Sequence, residues 1–260
     1  MIETQTSAQA PIPTDEGKNE RVIEVQNLRK GFDRMEVLKN ISLSLYKGEN
    51  LVVIGKSGCG KSVLIKCIIR LLMPDAGTID VLGKEIGALN KRDLGELRKK
   101  IGFLFQRDAL YDSMTVRQNL EFPLRRIKKD LTEKQIEEKV LEVLENVGLS
   151  DSINKMTSEL SGGMRKRISL ARTIIVDPLI MLYDEPTTGL DPVTSDEISA
   201  LINIVRQKYK TSSIIITHDI ECVRNIADRI IMLKDGEVYM EGTLTEFDNS
   251  QDPIIKGFFK

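Results

Sequence analysis

The pattern of apolar and polar positions divides the chain into short strands and helices. Residues 22–28 and 41–45 alternate apolar with polar side chains, as strands with one buried face do. Residues 51–54 are all apolar, which is typical of a central strand in a parallel sheet. The same reasoning predicts further strands at 101–105, 180–183, 214–217, 228–233 and 238–241.

Helices are predicted between these strands. Residues 62–72 are apolar nearly all round, which indicates a buried helix before a turn at 74–77. Within 133–147, apolar residues recur with helical spacing and Gly148 can end the helix. The order favours an α/β fold with an N-terminal β-rich part, a mainly parallel core sheet and a helical insertion near 110–165.

Composition and charge exclude several classes of protein. Residues 1–20 are polar and carry two prolines, so we predict a disordered tail, followed by a single domain at 21–260. The 38 basic side chains balance 39 acidic ones. The chain therefore lacks the excess of positive charge that would indicate nucleic-acid binding. No apolar run approaches the roughly 18 residues of a membrane span. Three cysteines at unrelated spacings predict neither a disulfide framework nor a zinc site.

A phosphate-binding loop is the first sign of chemistry. Residues 55–62 match GxxxxGK[ST] between an apolar strand and a helix. Glycines let backbone N–H groups turn toward phosphate oxygens, and the start of the helix adds its positive end. Lys61 should reach the β- and γ-phosphates of ATP, and the Ser62 hydroxyl should ligate Mg²⁺. The predicted ATP-binding residues are Gly55, Lys56, Ser57, Gly58, Cys59, Gly60, Lys61 and Ser62.

Two acids follow the apolar strand at 180–183. Asp184 is predicted to hold Mg²⁺ through water, and Glu185 to polarise the attacking water as a general base. A strand that ends in Asp-Glu is by itself more often a solvated turn. Its position downstream of the phosphate loop favours the catalytic interpretation.

A third motif lies between the other two. Residues 160–164, Leu-Ser-Gly-Gly-Met, come roughly a hundred residues after the phosphate loop. This order resembles ATP-binding-cassette (ABC) ATPases over most of the chain. The resemblance implies a P-loop NTPase with its core at about 21–105 and 166–260 and a helical subdomain at about 106–165. It also implies a head-to-tail dimer in which Ser161, Gly162 and Gly163 cap the ATP of a second copy. The basic residues at 165–167 are interpreted as a solvated face.

The resemblance extends to single residues. Gln106 matches the family's Q-loop glutamine, which senses Mg²⁺, and His218, the only histidine, matches the switch histidine at the γ-phosphate. Asp191 lies in a stretch similar to the loop that crosses to the second copy. Phe32 matches the aromatic that stacks on adenine, and a core position is the alternative for it.

As a member of this family, the chain is expected to power a membrane transporter from the cytoplasmic face of the bacterial inner membrane, as a peripheral subunit. Local stretches at 104–106, 109–111, 161–167 and 183–192 look like Mla-type ATPases of phospholipid trafficking. Import of amino acids or other solutes, and a soluble single-cassette ATPase of an assembly system, remain alternatives. A P-loop kinase does not account for the 160–164 motif or His218.

The resemblance also places the partners. A transmembrane permease subunit should dock between Gln106 and Leu124, where Leu110, Tyr111, Met114, Phe122 and Pro123 cluster. Exposed apolar clusters mark binding sites, although burial within the helical insertion is the alternative here. A lipid-binding or substrate-binding subunit beyond the membrane is compatible with this scheme.

Overall fold

The computed structural model describes residues 20–33, 35–106 and 108–259. Its strands are β1 (Arg21–Phe32), β2 (Met35–Tyr46), β3 (Asn50–Ile54), β4 (Ala76–Val81), β5 (Lys84–Glu85), β6 (Ile101–Leu104), β7 (Ile180–Asp184), β8 (Ser212–Ile216), β9 (Arg229–Lys234) and β10 (Glu237–Gly242). Its helices are α1 (Lys61–Ile68), α2 (Lys91–Arg98), α3 (Val116–Ile127), α4 (Glu133–Asn146), α5 (Gly162–Ile174), α6 (Pro192–Tyr209), α7 (Ile220–Ile226), α8 (Leu244–Asp248) and α9 (Pro253–Phe258). The predicted tail at 1–20 lies, except for Glu20, outside the described residues.

The larger sheet carries the motifs. Its strand order is β10-β9-β3-β8-β7-β6, and every pair is parallel except β10 with β9. The carboxyl ends of β3, β7 and β8 therefore lie at one edge, where ligands of open α/β sheets bind. The predicted mainly parallel core sheet is confirmed.

The N-terminal β-rich part forms a second, antiparallel sheet. Its order is β2-β1-β4-β5. Side chains of β3 explain how the two sheets share one molecule. Leu51 and Val53 point into a core with the second sheet and α1, and Val52 and Ile54 point into a core with the helical insertion. A strand buried on both faces has to be apolar throughout, as its sequence is.

Several predicted boundaries are wrong. The helix predicted at 62–72 ends at Ile68, because Arg70 takes a left-handed conformation and its Nη1 donates to the carbonyls of Ile86 and Leu89. β4 begins inside the predicted turn at 74–77, and β5 and α2 were not predicted. These elements are short and rich in charged or glycine residues, so the apolar pattern did not mark them.

The segment expected to dock a partner is more ordered than a loop. α3 begins at Val116 with Thr115 as its cap, so Phe122 and Pro123 lie on a helix. The buried side chain of Asn119, within α3, binds the segment that precedes the helix. It accepts from the backbone N–H of Tyr111 at 2.9 Å and donates to the Thr115 carbonyl at 3.0 Å. A single amide thus folds residues 111–115 onto the helix. No helix within the described residues is long and apolar enough to cross a bilayer.

Tyr183 in β7 provides a stability test. Its ring is fully buried, its hydroxyl has no hydrogen-bond partner among the described residues, and burial raises its pKa. An unsatisfied buried hydroxyl costs about 1–3 kcal/mol. We expect Tyr183→Phe to raise the free energy of unfolding by about 1 kcal/mol, as measured by urea denaturation.

The matched control is Tyr209→Phe. The Tyr209 hydroxyl accepts a hydrogen bond from Asn146 at 2.7 Å, so its removal should destabilise the fold instead. If Tyr183→Phe proved less stable than the parent, the Tyr183 hydroxyl would have to be satisfied in solution.

Candidate nucleotide-binding site

The phosphate loop joins β3 to α1. Gly60 caps α1 with a φ of 103°, and a Cβ there would lie 2.6 Å from Leu38 Cδ2, so only glycine fits. No side chain among the described residues caps α1. The N–H groups at the amino end of the helix are therefore left for an anion.

Lys61 and Ser62 begin α1 and point toward the loop. The Lys61 ammonium is buried and donates to the carbonyl oxygens of Gly55 at 2.7 Å and Lys56 at 3.2 Å. Since these bonds are to backbone atoms and not to a carboxylate, the positive charge is still available to phosphate oxygens. The Ser62 hydroxyl donates to Asp184 Oδ1 at 2.9 Å, which brings the end of β7 to the loop.

The donors at this point suit a hard divalent cation. Asp184 is 5% exposed, and burial raises the pKa of its carboxyl, with the Ser62 hydrogen bond acting in the opposite direction. A carboxylate and a hydroxyl at the phosphate loop are the oxygen ligands that Mg²⁺ takes together with phosphates. The residues present thus fit Mg²⁺.

Glu185 is held in an unusual position. Its φ is 52°, in the left-handed region that is uncommon for residues other than glycine, and its N–H donates to the Ile216 carbonyl at 2.8 Å. Its Oε2 lies 2.7 Å from His218 Nδ1 and accepts from the Thr188 hydroxyl at 3.1 Å. The ends of β7 and β8 therefore fix this carboxylate beside the imidazole.

One cavity of about 510 Å³ brings most of the predicted site together. It is lined by Gly55, Lys56, Ser57, Gly58, Gly60, Lys61, Ser62, Gln106, Glu185 and His218, with Val37, Val63 and Phe258. Cys59 lines an adjoining cavity, and burial raises the pKa of its thiol. A thiol disfavoured as thiolate suits a small filler of the loop better than a reactive group.

Lys166 was not predicted to act here. It was interpreted as part of a solvated face, but its side chain is buried and its Nζ donates to the Gln106 carbonyl at 2.9 Å. Burial lowers its pKa, while Asp108, 3.5 Å away, has the opposite effect. Lys166 therefore ties α5 to the backbone of Gln106. This contact could not be predicted, because the sequence does not show which of the three adjacent cations at 165–167 points inward.

The 160–164 motif and Asp191 lie away from the cavity. Ser161 caps α5 by accepting from the Met164 N–H at 3.2 Å. Asp191 caps α6, and the hydrogen bond from the Thr194 hydroxyl lowers its pKa. A Cβ on Gly163 would lie 2.6 Å from Thr194 Cγ2, so the two caps pack closely. Neither group lines the cavity of its own chain.

A family model described as "ABC transporter" matches residues 38–188. This range contains the phosphate loop, Gln106, the 160–164 motif and Glu185. The chain belongs to the ABC transporter family.

Similar proteins and structures agree with this assignment. The chain is 36% identical to the methionine import ATP-binding protein MetN of Brucella abortus over 92% of its length. It is 40% identical to the intermembrane phospholipid transport ATP-binding protein MlaF of Haemophilus influenzae, over 93% of this chain and 91% of that protein. The dimeric ATP-binding cassette MJ0796 bound to ADP and Pi superposes with a TM-score of 0.78 at 31% identity, over 85% of this chain and 98% of that one. The chain spans 64% of the length of the MetN relative.

Phe32, the predicted adenine-stacking residue, lies outside the cavities at the phosphate loop. Its ring is 43% exposed at the end of β1, with Lys30 Nζ 5.3 Å from the ring centroid. It does not line either cavity at the phosphate loop, whereas Met35 and Val37 of the same hairpin do. The alternative of a core position is wrong, and adenine stacking stays a prediction.

Proposed function

We propose that the chain is the ATP-hydrolysing subunit of a membrane transporter and that it works as a head-to-tail dimer. The observation that carries this is the single cavity in which the phosphate loop, Gln106, Glu185 and His218 meet. Each follows a different strand, so the arrangement depends on the four adjacent parallel strands β3, β8, β7 and β6. Tight binding of ATP without its hydrolysis would contradict the proposal.

The residues divide the chemistry among themselves. Lys61 and the N–H groups at the start of α1 hold the phosphates and offset their charge. Ser62, Asp184 and Gln106 would hold Mg²⁺, which would supply charge neutralisation at the phosphates when bound. Glu185 orients the attacking water and accepts its proton, and His218 keeps the carboxylate in place while its exposed ring faces the γ-phosphate.

A second copy completes the site. Ser161, Gly162 and Gly163 open α5 with backbone N–H groups that an anion can approach, yet they lie off their own cavity. A head-to-tail pair lets these groups reach the γ-phosphate bound by the other chain, and Asp191 lies on the same side of the molecule. The dimeric state of the MJ0796 cassette supports the presence of a second copy.

A groove beside β6 is the proposed dock for the permease. This cavity of about 440 Å³ is lined by apolar and aromatic side chains and by the cations Arg98, Lys99, Arg126 and Arg172. Tyr111 and Phe122 meet edge to face at 5.2 Å, and both are more than a third exposed. The Arg172 guanidinium lies 5.6 Å from the Tyr111 ring. Because the lining combines apolar side chains with cations, an apolar helix that carries carboxylates would fit the groove.

We expect Tyr111→Asp to release the chain from its membrane complex. The substitution removes the ring that pairs with Phe122 and puts a charge on the binding surface. The backbone of residue 111 keeps its hydrogen bond to Asn119, so the local fold should persist. Co-purification of the tagged chain with membrane protein measures the loss, and the melting temperature and ATP affinity check the fold. Leu141→Asp is the control, because Leu141 is 46% exposed on α4 and does not line the groove. Retained assembly of Tyr111→Asp would place the dock elsewhere.

Phospholipid is the proposed cargo of the whole transporter, and the chain would then lie as a peripheral subunit at the cytoplasmic face of the inner membrane. MlaF matches over nearly its full length, and the groove is lined by Ala109 and Tyr111, which belong to the 109–111 stretch that looks like Mla-type ATPases. The runner-up is amino-acid import, which the MetN relatives favour. Purified complex in proteoliposomes should move labelled phospholipid with ATP. ATP-dependent uptake of methionine without lipid movement would favour the runner-up.

A further inference from the structure

A second cavity adjoins the phosphate cavity on the far side of the phosphate loop. Its volume is about 680 Å³, within the range of small-molecule sites. The two cavities share Val37, residues 56–58 and Phe258 as walls. They are therefore continuous over the outer turn of the phosphate loop.

The positions of Glu185 and His218 indicate how a nucleotide would be oriented across the two cavities. Glu185 and His218 line only the first cavity, and Met35 and Ile254 line only the second. A nucleotide whose terminal phosphate lies beside Glu185 must extend its ribose and base away from it, along the loop. The second cavity is where that path leads.

The C-terminal segment forms one wall of this path, and it is anchored there. Asp252 caps α9 by accepting from the Ile254 N–H at 2.7 Å, and the Tyr239 hydroxyl of β10 donates to the same carboxylate at 2.6 Å. Ile255 is buried, and the ring of Phe259 packs against Phe247 at 5.5 Å. These contacts fix Phe258, which packs partly buried against the core, over the loop.

We propose that Phe258 is a nucleotide-contacting residue, with its ring and Ile254 forming the surface against which the base and ribose of ATP pack. An aromatic face suits a purine, since every base offers a π-face for stacking. The site would then be built from both ends of the chain, the β1–β2 hairpin and α9. This inference rests on the proposed binding of ATP at the phosphate loop.

Calorimetry with two ligands tests it. We expect Phe258→Ala to weaken binding of Mg·ATP about tenfold, equivalent to about 1.4 kcal/mol, and to leave binding of Mg·tripolyphosphate unchanged. Tripolyphosphate carries the phosphates without base or ribose, so the difference isolates their contact. Phe258→Tyr keeps the ring and should restore ATP affinity.

Phe259→Ala is the matched control, because Phe259 is on the same segment and lines neither cavity. Its melting temperature should fall as much as that of Phe258→Ala, or more, with ATP affinity unchanged. Equal ATP affinity of Phe258→Ala and the parent would overturn the inference. So would tighter binding of both ligands, because the ring would then be obstructing the site. Failure of the parent to bind either ligand would instead reject the proposed ATP site itself.

Discussion

Glu185→Gln should bind ATP with near-parental affinity and hydrolyse it roughly 10²–10⁴-fold more slowly, the usual contribution of a general base. Glutamine keeps the size of the side chain and can still hydrogen-bond His218, but it cannot take a proton from water. Initial rates of phosphate release, with ATP affinity from calorimetry, measure the two effects separately. Near-parental turnover would show that Glu185 is not the base.

The variant should also change the assembly. Hydrolysis is the step that separates the two copies in the proposed cycle, so Glu185→Gln should accumulate as an ATP-bound dimer, visible by light scattering. Lys61→Ala is the matched control, because removing the buried ammonium at the phosphates should weaken ATP binding itself. That variant should stay monomeric at ATP concentrations that dimerise Glu185→Gln.

The sequence alone predicted those elements whose residue pattern is compatible with only one local structure. β3 and β7 are buried on both faces, so their all-apolar runs identified them, and the glycines and Lys61 that follow β3 fit little but a phosphate loop. The family resemblance then located Gln106 and His218, which carry no signal of their own. The structure places all of these residues at one cavity.

Other features depend on contacts that no local pattern encodes. Lys166 turns inward because α5 lies beside β6, the strand that leads to Gln106, and its neighbours Arg165 and Arg167 show the same sequence character. Phe258 reaches the phosphate loop because α9 packs back across the molecule, about 200 residues from that loop in sequence. The left-handed conformation of Glu185 likewise accompanies a long-range contact, the hydrogen bond from its N–H to β8. Long-range packing of this kind has to be observed.

The largest effect on assembly is expected from Ser161→Arg. Ser161 is exposed and its side chain only caps α5, so the arginine mainly adds bulk where the γ-phosphate of the second copy would lie. In the Glu185→Gln background, this change should abolish the ATP-dependent dimer and leave ATP binding intact. Ser161→Ala loses the same cap, at about 1 kcal/mol of stability, without the bulk, and should still dimerise. A dimer that survives Ser161→Arg would contradict the proposed interface.

Mixing two inactive chains tests whether the motif acts on the other copy. Ser161→Arg keeps a working phosphate loop, and Lys61→Ala keeps a working 160–164 motif. In a head-to-tail pair of the two, the intact loop of one chain faces the intact motif of the other, and the second site combines both defects. ATP hydrolysis should therefore return in the mixture to at most about half the parental rate, although neither variant alone is active. If Ser161 acted within its own chain, each site would keep its own defect on mixing and no activity would return.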